Sequence, residues 1–518
     1  TEVQRDTHIC FVFLSMFCLF FPIVCVVLAV ILTPLVNWYV NVYKNRSLRD
    51  VPGPKPTPIL GNTSLLGQTP TDYLKALLSL QNQYGNFYKL WTGPTLRLVI
   101  NKPEYLEDLL NSNVHLSKSN GYDLFKPWLG DGLLVSTGLK WRQRRKMITP
   151  TFHFKVLEDF MEIFNYQINV MLEKLMDAVK KSPGSTFDIF PFINLMSLDI
   201  ICETAFGTSI GAQNKKNPKY VAAVKDFLEI FVFRFYSGWM GHPLFFRFTE
   251  PYKIYQQTLD TLHEFCETVI KQRKEEFAQH GKMTGIRDDG IKVRSALLDM
   301  LLEANQQGEN LSDKDIRDEV NTFMFEGHDT SATAICFTLY ALAQNPKFQD
   351  KVYEELCEVI GKDPKTEITI SKLNDLKYMD IVVKEALRVY QPVPLIERKT
   401  EEEWKIDGIT VPKDTTIAIF LFGMAHDPEV FPDPEKFNPD RFLPEKMSER
   451  HNFAYIPFSA GSRNCIGQRY AIYSLKTCVA KLLLQFRTEE NPNFTINLGT
   501  CSVLKSMNGY KMKIVPRN

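Results

Sequence analysis

Read by its apolar and polar positions, the chain falls into three zones. From Ile9 to Val36 no residue is charged. At about 1.5 Å per residue that run exceeds the roughly 30 Å hydrocarbon core of a bilayer, so it predicts a transmembrane helix that Pro22 and Pro34 would kink or end. Pro52, Pro54, Pro56 and Pro58 then alternate through VPGPKPTP, which favours a stiff, extended connector over helix. From about Thr71 onward apolar positions recur at helical spacing, with β-like alternation only in Phe87–Leu90, Leu96–Ile100 and Thr415–Phe420. The expected organisation is a membrane anchor over 1–45, a proline-rich hinge over 46–70, and a mainly α body with small β-sheets over 71–518.

Two stretches of the body stand out. A long helix is predicted to start at Ser312, whose side chain can cap it with Asp315 at the third position, and to stop before Pro346. From Phe227 to Phe248 lie nine aromatic residues interrupted by Gly238, Gly241 and Pro243, which reads as two helix ends and a loop. That run suits either lipid contact or an ordinary packed stripe. Gly281–Val293 is polar and glycine-containing, a connector between helices.

Composition narrows the function classes. With 61 Lys and Arg against 60 Asp and Glu, no global basic field argues for nucleic acid, and no zinc-finger spacing occurs. The ten cysteines form no CxxC pair, and Cys10, Cys18 and Cys25 lie inside the apolar run, so a disulfide framework is not expected and a reducing, cytosol-facing compartment fits. Glu2, Arg5 and Asp6 precede that run and Lys44, Arg46 and Arg49 follow it, which by the positive-inside rule puts the body in the cytosol. A cleaved signal peptide is the alternative, against which the apolar run is too long.

The segment Phe458–Gly467, FSAGSRNCIG, carries the chemistry. Cys465 sits in a glycine-punctuated loop with Arg463 two residues before it, and positive charge with free backbone N–H groups is what lowers a thiol pKa toward the ligating thiolate. Gly461 would let the loop approach a flat ligand closely, and Gly467 would clear space for N–H groups aimed at the sulfur. A buried structural cysteine is the bland alternative. Elsewhere Glu326, Thr330 and Ala334 share one face of the long helix, with Gly327 opening space beside them. A threonine there can equally bond a carbonyl one turn back. Five of the seven residues Lys140–Lys146 are basic, a pattern that is most simply a solvated face.

The cysteine loop resembles the haem-binding loop of the cytochromes P-450, the haem-thiolate monooxygenases. WRQRR (Trp141–Arg145), EGHDTS (Glu326–Ser331), EALR (Glu385–Arg388) and NPDRF (Asn438–Phe442) follow the same family's order, and the proline hinge is similar to that of microsomal members. FMFEGHDTS and ICETAFG (Ile201–Gly207) resemble family four, the fatty-acid ω-hydroxylase group.

The resemblance implies the cytochrome P-450 fold, a single helical domain behind an anchor, with haem b ligated through iron by Cys465. It assigns Trp141, Arg145, Arg398 and Arg463 to the haem propionates, with Phe458 and Gly467 in the loop, and implies an ester from Glu326 to a haem methyl, the alternative being a carboxylic acid merely buried with a raised pKa. It gives Thr330 and Asp329 to proton delivery beside bound dioxygen, and Glu385, Arg388 and Arg441 to a buried structural network. By family topology, substrate contacts fall at Leu124, Phe125, Val393, Leu395, Ser506 and Met507. Arg144 and Lys146, turned from the haem, would meet an acidic redox partner.

No G-x-G-x-x-G or Walker A sequence occurs, so electrons are expected from a partner. The resemblance makes it NADPH-cytochrome P-450 reductase, with cytochrome b5 as a second donor, at the endoplasmic reticulum membrane. The implied reaction is insertion of one oxygen atom from O2 into a C–H bond of a lipophilic substrate, at the terminal carbon of a fatty acid. Rivals are a xenobiotic oxidase of the same fold, a lipid-peroxide isomerase or lyase, and a haem-binding sensor or electron carrier without turnover.

Overall fold

The structure, a computed structural model, describes residues 32–214, 219–236, 243–280, 297–308 and 311–517, with Cys25 and the short pieces 285–286 and 292–293. The predicted membrane segment Ile9–Val36 lies almost wholly outside these residues. Among the described residues no helix is long and apolar enough to cross a membrane.

The helices that build the body are α1 (Pro70–Tyr84), α2 (Gly138–Ile148), α3 (Phe154–Lys181), α4 (Phe190–Phe206), α5 (Lys219–Tyr236), α6 (Pro251–His280), α7 (Asp313–Gln344), α8 (Lys377–Val389) and α9 (Gln468–Gln485). Helix α7 is the long one. Ser312 and Asp315 form the expected capping box, each side chain accepting the other's backbone N–H at 3.1 Å, and the helix ends at Asn345 before Pro346. Its 32 residues span about 48 Å. They are buried on nearly every face because α4, α6, α8 and α9 all pack against it.

A four-stranded sheet, β1 (Phe87–Thr92), β2 (Thr95–Ile100), β3 (Ile396–Lys399) and β4 (Thr416–Ile419), runs in the order β1-β2-β4-β3 with β2 and β4 parallel. A hairpin, β5 (Leu498–Cys501) and β6 (Val503–Ser506), turns at Ser502, whose φ is 73°. The proline stretch forms no helix from Pro52 to Pro56, turns at Pro58 so that Thr57 pairs with Gly61, and is docked and not free. The Lys89 N–H of β1 donates to the Pro52 carbonyl at 2.8 Å, and a Cβ on Gly53 would lie 2.2 Å from the Lys89 carbonyl oxygen. The polar connector contains a two-residue strand pair, Gly285–Ile286 with Lys292–Val293.

The aromatic run divides. Phe227 and Phe246 are buried and Phe231 and Phe235 face the central cavity, while Phe245 and Phe248 are exposed. The packed-stripe reading therefore holds for the first half of that stretch and for Phe246, while Phe245 and Phe248 are left facing outward.

Candidate active site

A cavity of about 310 Å³ lies between α7, the cysteine loop, β3 and the β5–β6 hairpin. The loop is held by its own backbone, the Cys465 N–H donating to the Phe458 carbonyl at 2.9 Å and the Asn464 N–H to Gly461 at 3.1 Å. Gly461 has φ +70°, and a Cβ there would lie 1.7 Å from the Leu110 carbonyl oxygen. It serves close packing of the loop on its neighbour and not approach to a ligand, since it is absent from the cavity wall, whereas Phe458, Cys465 and Gly467 line it.

Cys465 is exposed only in the sense that its sulfur faces this cavity. Burial and the Glu326 carboxyl push the thiol up to about 12, with the Gly467 N–H and Arg145 pulling the other way. The expected lowering by Arg463 is therefore corrected. That guanidinium turns aside, donating to the carbonyls of Leu116, Leu133, Leu134 and Ser136 at 2.8–3.3 Å and lying 4.6 Å over the Trp141 ring.

The remaining cations gather along one side. Arg145 lines the cavity one helical turn after Trp141 and donates to the Asn464 carbonyl and side-chain oxygens, both at 2.7 Å. Arg398 is buried on β3 and lies behind the wall, where it donates to its neighbour's carbonyl, Glu397, at 3.2 Å. Burial, then Arg398, push the Arg463 guanidinium down to about 9. A further cation, Lys118, stands in the wall over the Tyr122 ring at 4.4 Å, and burial together with Arg398 and Arg463 drives its pKa well down. No motif announces Lys118 in the sequence; only tertiary contact brings it here. The buried carboxylate among these groups, Glu397, is already bound by Arg97 at 2.7 Å and by the Ser119 hydroxyl. One thiol, apolar walls and several crowded cations make a donor set that fits a flat apolar group with an anionic edge, as haem with its two propionates is.

Across the cavity, α7 presents Glu326, Gly327, Thr330, Ser331 and Ala334. Gly327 lines the cavity, and the crossing of α4 also requires it, because a Cβ would fall 2.4 Å from Ile201 Cδ1. Burial pushes the Glu326 carboxyl up to about 7, with Lys118, Arg463 and Arg145 pulling it down. The Thr330 hydroxyl donates to the Glu326 carbonyl at 2.6 Å, the one-turn-back bond that the sequence left open. Asp329 points away from the cavity, and Lys505 Nζ donates to its Oδ1 at 2.5 Å and to Thr333 Oγ1 at 3.0 Å.

Behind the loop, Arg388 donates to both oxygens of Glu385 at 2.7 and 2.8 Å, the Asn438 N–H adds 2.8 Å and Arg441 lies 3.5 Å away. Three of the six proposed substrate contacts line the cavity, namely Phe125, Val393 and Leu395. Leu124, Ser506 and Met507 do not. Leu124 precedes Phe125 in a 3-10 segment that turns Gly121, Tyr122 and Phe125 inward but not Leu124, and Ser506 and Met507 lie at and just past the far end of β6, whose turn offers Thr500, Ser502 and Val503 instead. The basic run is also corrected. Arg144 is buried, 3.1 Å from Asp315, and Lys140 is 2.9 Å from the same carboxylate, whereas Arg142 and Lys146 are exposed.

The family model described as "Cytochrome P450" matches residues 51–514. The chain is 41% identical over 506 residues to "Cytochrome P450 4d2" of Drosophila melanogaster, spanning 96% of this chain and 99% of that one. It is 39% identical to "Cytochrome P450 4c3" of the same organism, spanning 91% and 90% of the two chains. To "Cytochrome P450 4V2" of Homo sapiens it is 39% identical over 89% of this chain and 88% of the other.

Proposed function

The chain belongs to the cytochrome P-450 family, in its family four, and from that premise we propose that this monooxygenase hydroxylates the terminal carbon of fatty acids or related lipids. The observation that carries the reading is the Glu326 carboxyl on the cavity wall, in an apolar setting that favours its neutral form. A carboxylate there is costly unless neutralised, and an ester to a haem methyl neutralises it.

Cys465 would hold the haem, whose chemistry when bound would be dioxygen activation, one oxygen atom going to the C–H bond and the other to water for two electrons and two protons. The chain's own groups do the rest. Arg145, Arg463 and Lys118 offer charge-assisted donors to the propionates, with Arg398 behind them and Trp141 packed against Arg463. Thr330 must rotate its hydroxyl away from the Glu326 carbonyl to donate into the cavity, and Asp329 stands one residue before it as the carboxylate for proton delivery. Phe125, Phe231, Val393 and Leu395 exclude water and confine the chain end, which attack on a strong primary C–H requires. Electrons come from a reductase, for which NADPH-cytochrome P-450 reductase with cytochrome b5 is the proposed pair, at the endoplasmic reticulum membrane.

The test is reconstitution of the purified protein with that reductase, NADPH and saturated fatty acids of several lengths, with the added oxygen located by mass spectrometry. Terminal alcohols are expected. NADPH consumption at background with every fatty acid, despite a thiolate-type carbon monoxide spectrum, would overturn the substrate class. Acid-organic extraction tests Glu326 separately: haem should stay with the wild-type chain and be released from Glu326→Ala.

A further inference from the structure

The hairpin β5–β6 touches two things at once. Its turn supplies Thr500, Ser502 and Val503 to the cavity wall. Alternation along β6 puts Lys505 on the face of Val503, and from there its ammonium reaches Asp329 at 2.5 Å, Thr333 at 3.0 Å and the Phe190 ring at 4.9 Å. Asp329 is 4% exposed, and its Oδ2 has no hydrogen-bond partner among the described residues. Its neighbour His328 is buried and, held down to about 4 chiefly by burial, brings no charge. Lys505 is therefore the cation that fixes this carboxylate. The Leu504 N–H also donates to the Pro392 carbonyl at 2.8 Å, tying the hairpin to a second stretch of wall, Pro392 to Leu395.

We propose that Lys505 is a positioning residue for proton delivery, and that the hairpin couples substrate occupancy to it: a chain packed on Thr500, Ser502 and Val503 sets where Lys505 holds Asp329. The inference rests on Asp329 and Thr330 as the proton-delivering pair. A buried carboxylate that loses its cation must turn toward other donors or take up a proton, and either leaves Thr330 without an ordered carboxylate behind it. Electrons then leave as peroxide and not in product.

The experiment uses the full-length holoenzyme with reductase and dodecanoic acid, comparing wild type, Lys505→Met, Lys505→Arg, Asp329→Asn and the double variant Asp329→Asn/Lys505→Met. Measured are the fraction of NADPH electrons recovered in product, the solvent isotope effect, the melting temperature, and amide exchange over 326–333 and 498–506 with and without the fatty acid. In Lys505→Met the product fraction should fall about tenfold with a changed isotope effect. Lys505→Arg should recover most of it, and the double variant should be no worse than Asp329→Asn. Dodecanoic acid should slow exchange in both segments of the wild type and only in the hairpin of Lys505→Met.

If Asp329→Asn uncouples and Lys505→Met does not, the inference fails while the role of Asp329 stands. If Asp329→Asn itself leaves the product fraction unchanged, the underlying reading falls and takes the inference with it. Equal melting losses in both Lys505 variants with unchanged product fraction mark a structural lysine and overturn the proposal. Should Lys505→Met not load haem, wild-type exchange decides: slowing confined to 498–506 refutes the coupling.

Discussion

Glu385→Gln should remove haem incorporation before it touches kinetics. Glu385 and Arg388 are both fully buried, and the carboxylate accepts two bonds from Arg388 and one from the Asn438 N–H, with Arg441 at 3.5 Å. A glutamine has one acceptor oxygen. Set at the Oε1 position, where three donors converge, it turns its NH2 group onto the Arg388 Nε–H, a donor facing a donor. Arg388 keeps the Ala425 carbonyl at 2.8 Å and the Phe431 ring at 5.1 Å, but its charge loses its counterion. Breaking a buried pair from one side costs about 3–5 kcal/mol, a large share of the roughly 5–15 kcal/mol that keeps a protein folded. For a chain of this length, at about 1 °C per kcal/mol, the melting temperature should fall by about 3–5 °C.

The damage reaches the site because α8 is tied to the chain entering the cysteine loop. The Tyr455 hydroxyl donates to the Lys384 carbonyl at 3.0 Å and the Gln391 amide to Pro457 at 3.2 Å. Scanning calorimetry and the carbon monoxide difference spectrum, run side by side, measure both losses. A variant with full haem content that melts within about 2 °C of wild type refutes the reasoning, since it would mean that the charge of Glu385 adds nothing beyond its shape.

Gly461→Ala should abolish the thiolate-type spectrum, since its Cβ meets the Leu110 carbonyl at 1.7 Å, while Gly408→Ala, with φ 75° and open space around it, should cost only about 1–2 kcal/mol. Burial pushes Glu319 from 4.5 up to about 7, so the folded chain holds a proton there that the unfolded chain has lost, and stability falls as pH rises from about 4.5 to 7. Glu319→Gln should remove that slope and gain about 1–3 kcal/mol over wild type at pH 8, read from urea midpoints at pH 5 and 8. Phe125→Ala opens the wall where its ring stacks on Phe231 at 4.4 Å, and product analysis should show oxygen moving from the terminal carbon to internal ones. Thr330→Ala should keep substrate-driven NADPH consumption but turn about nine-tenths or more of it to peroxide, measured by a peroxide assay.

The parts of this molecule set by local rules were legible from residues alone. The cap at Ser312, the stop before Pro346 and the shared face of Glu326, Thr330 and Ala334 follow from helix geometry, and the structure has all three. What escaped was set by contacts distant in sequence. Lys118 carries no motif, and Arg144 looks like a surface charge until Asp315, far along the chain, comes to lie 3.1 Å away. Gly461 reads as space for a ligand, yet it is small because the Leu110 backbone crosses it, and Gly327 is small for the Ile201 side chain as well as for the cavity. Ser506 and Met507 missed the cavity by a few residues because the register and turn of a hairpin, not its composition, decide which end faces inward.

The cavity wall also fixes an order of events in the life of each molecule. Tyr73 and Val503 face the same space, so its two sides are made at opposite ends of translation. At about 5–20 residues per second the first side waits on the order of tens of seconds for the other. Until the hairpin is made, the wall is open on the side of Thr500, Ser502 and Val503, and Asp329 lacks its cation. The chain must therefore fold its helical body around an unfinished slot, and any ligand it captures early enters a site whose acid is still unpaired. Complete assembly of this enzyme belongs to the period after the hairpin leaves the ribosome.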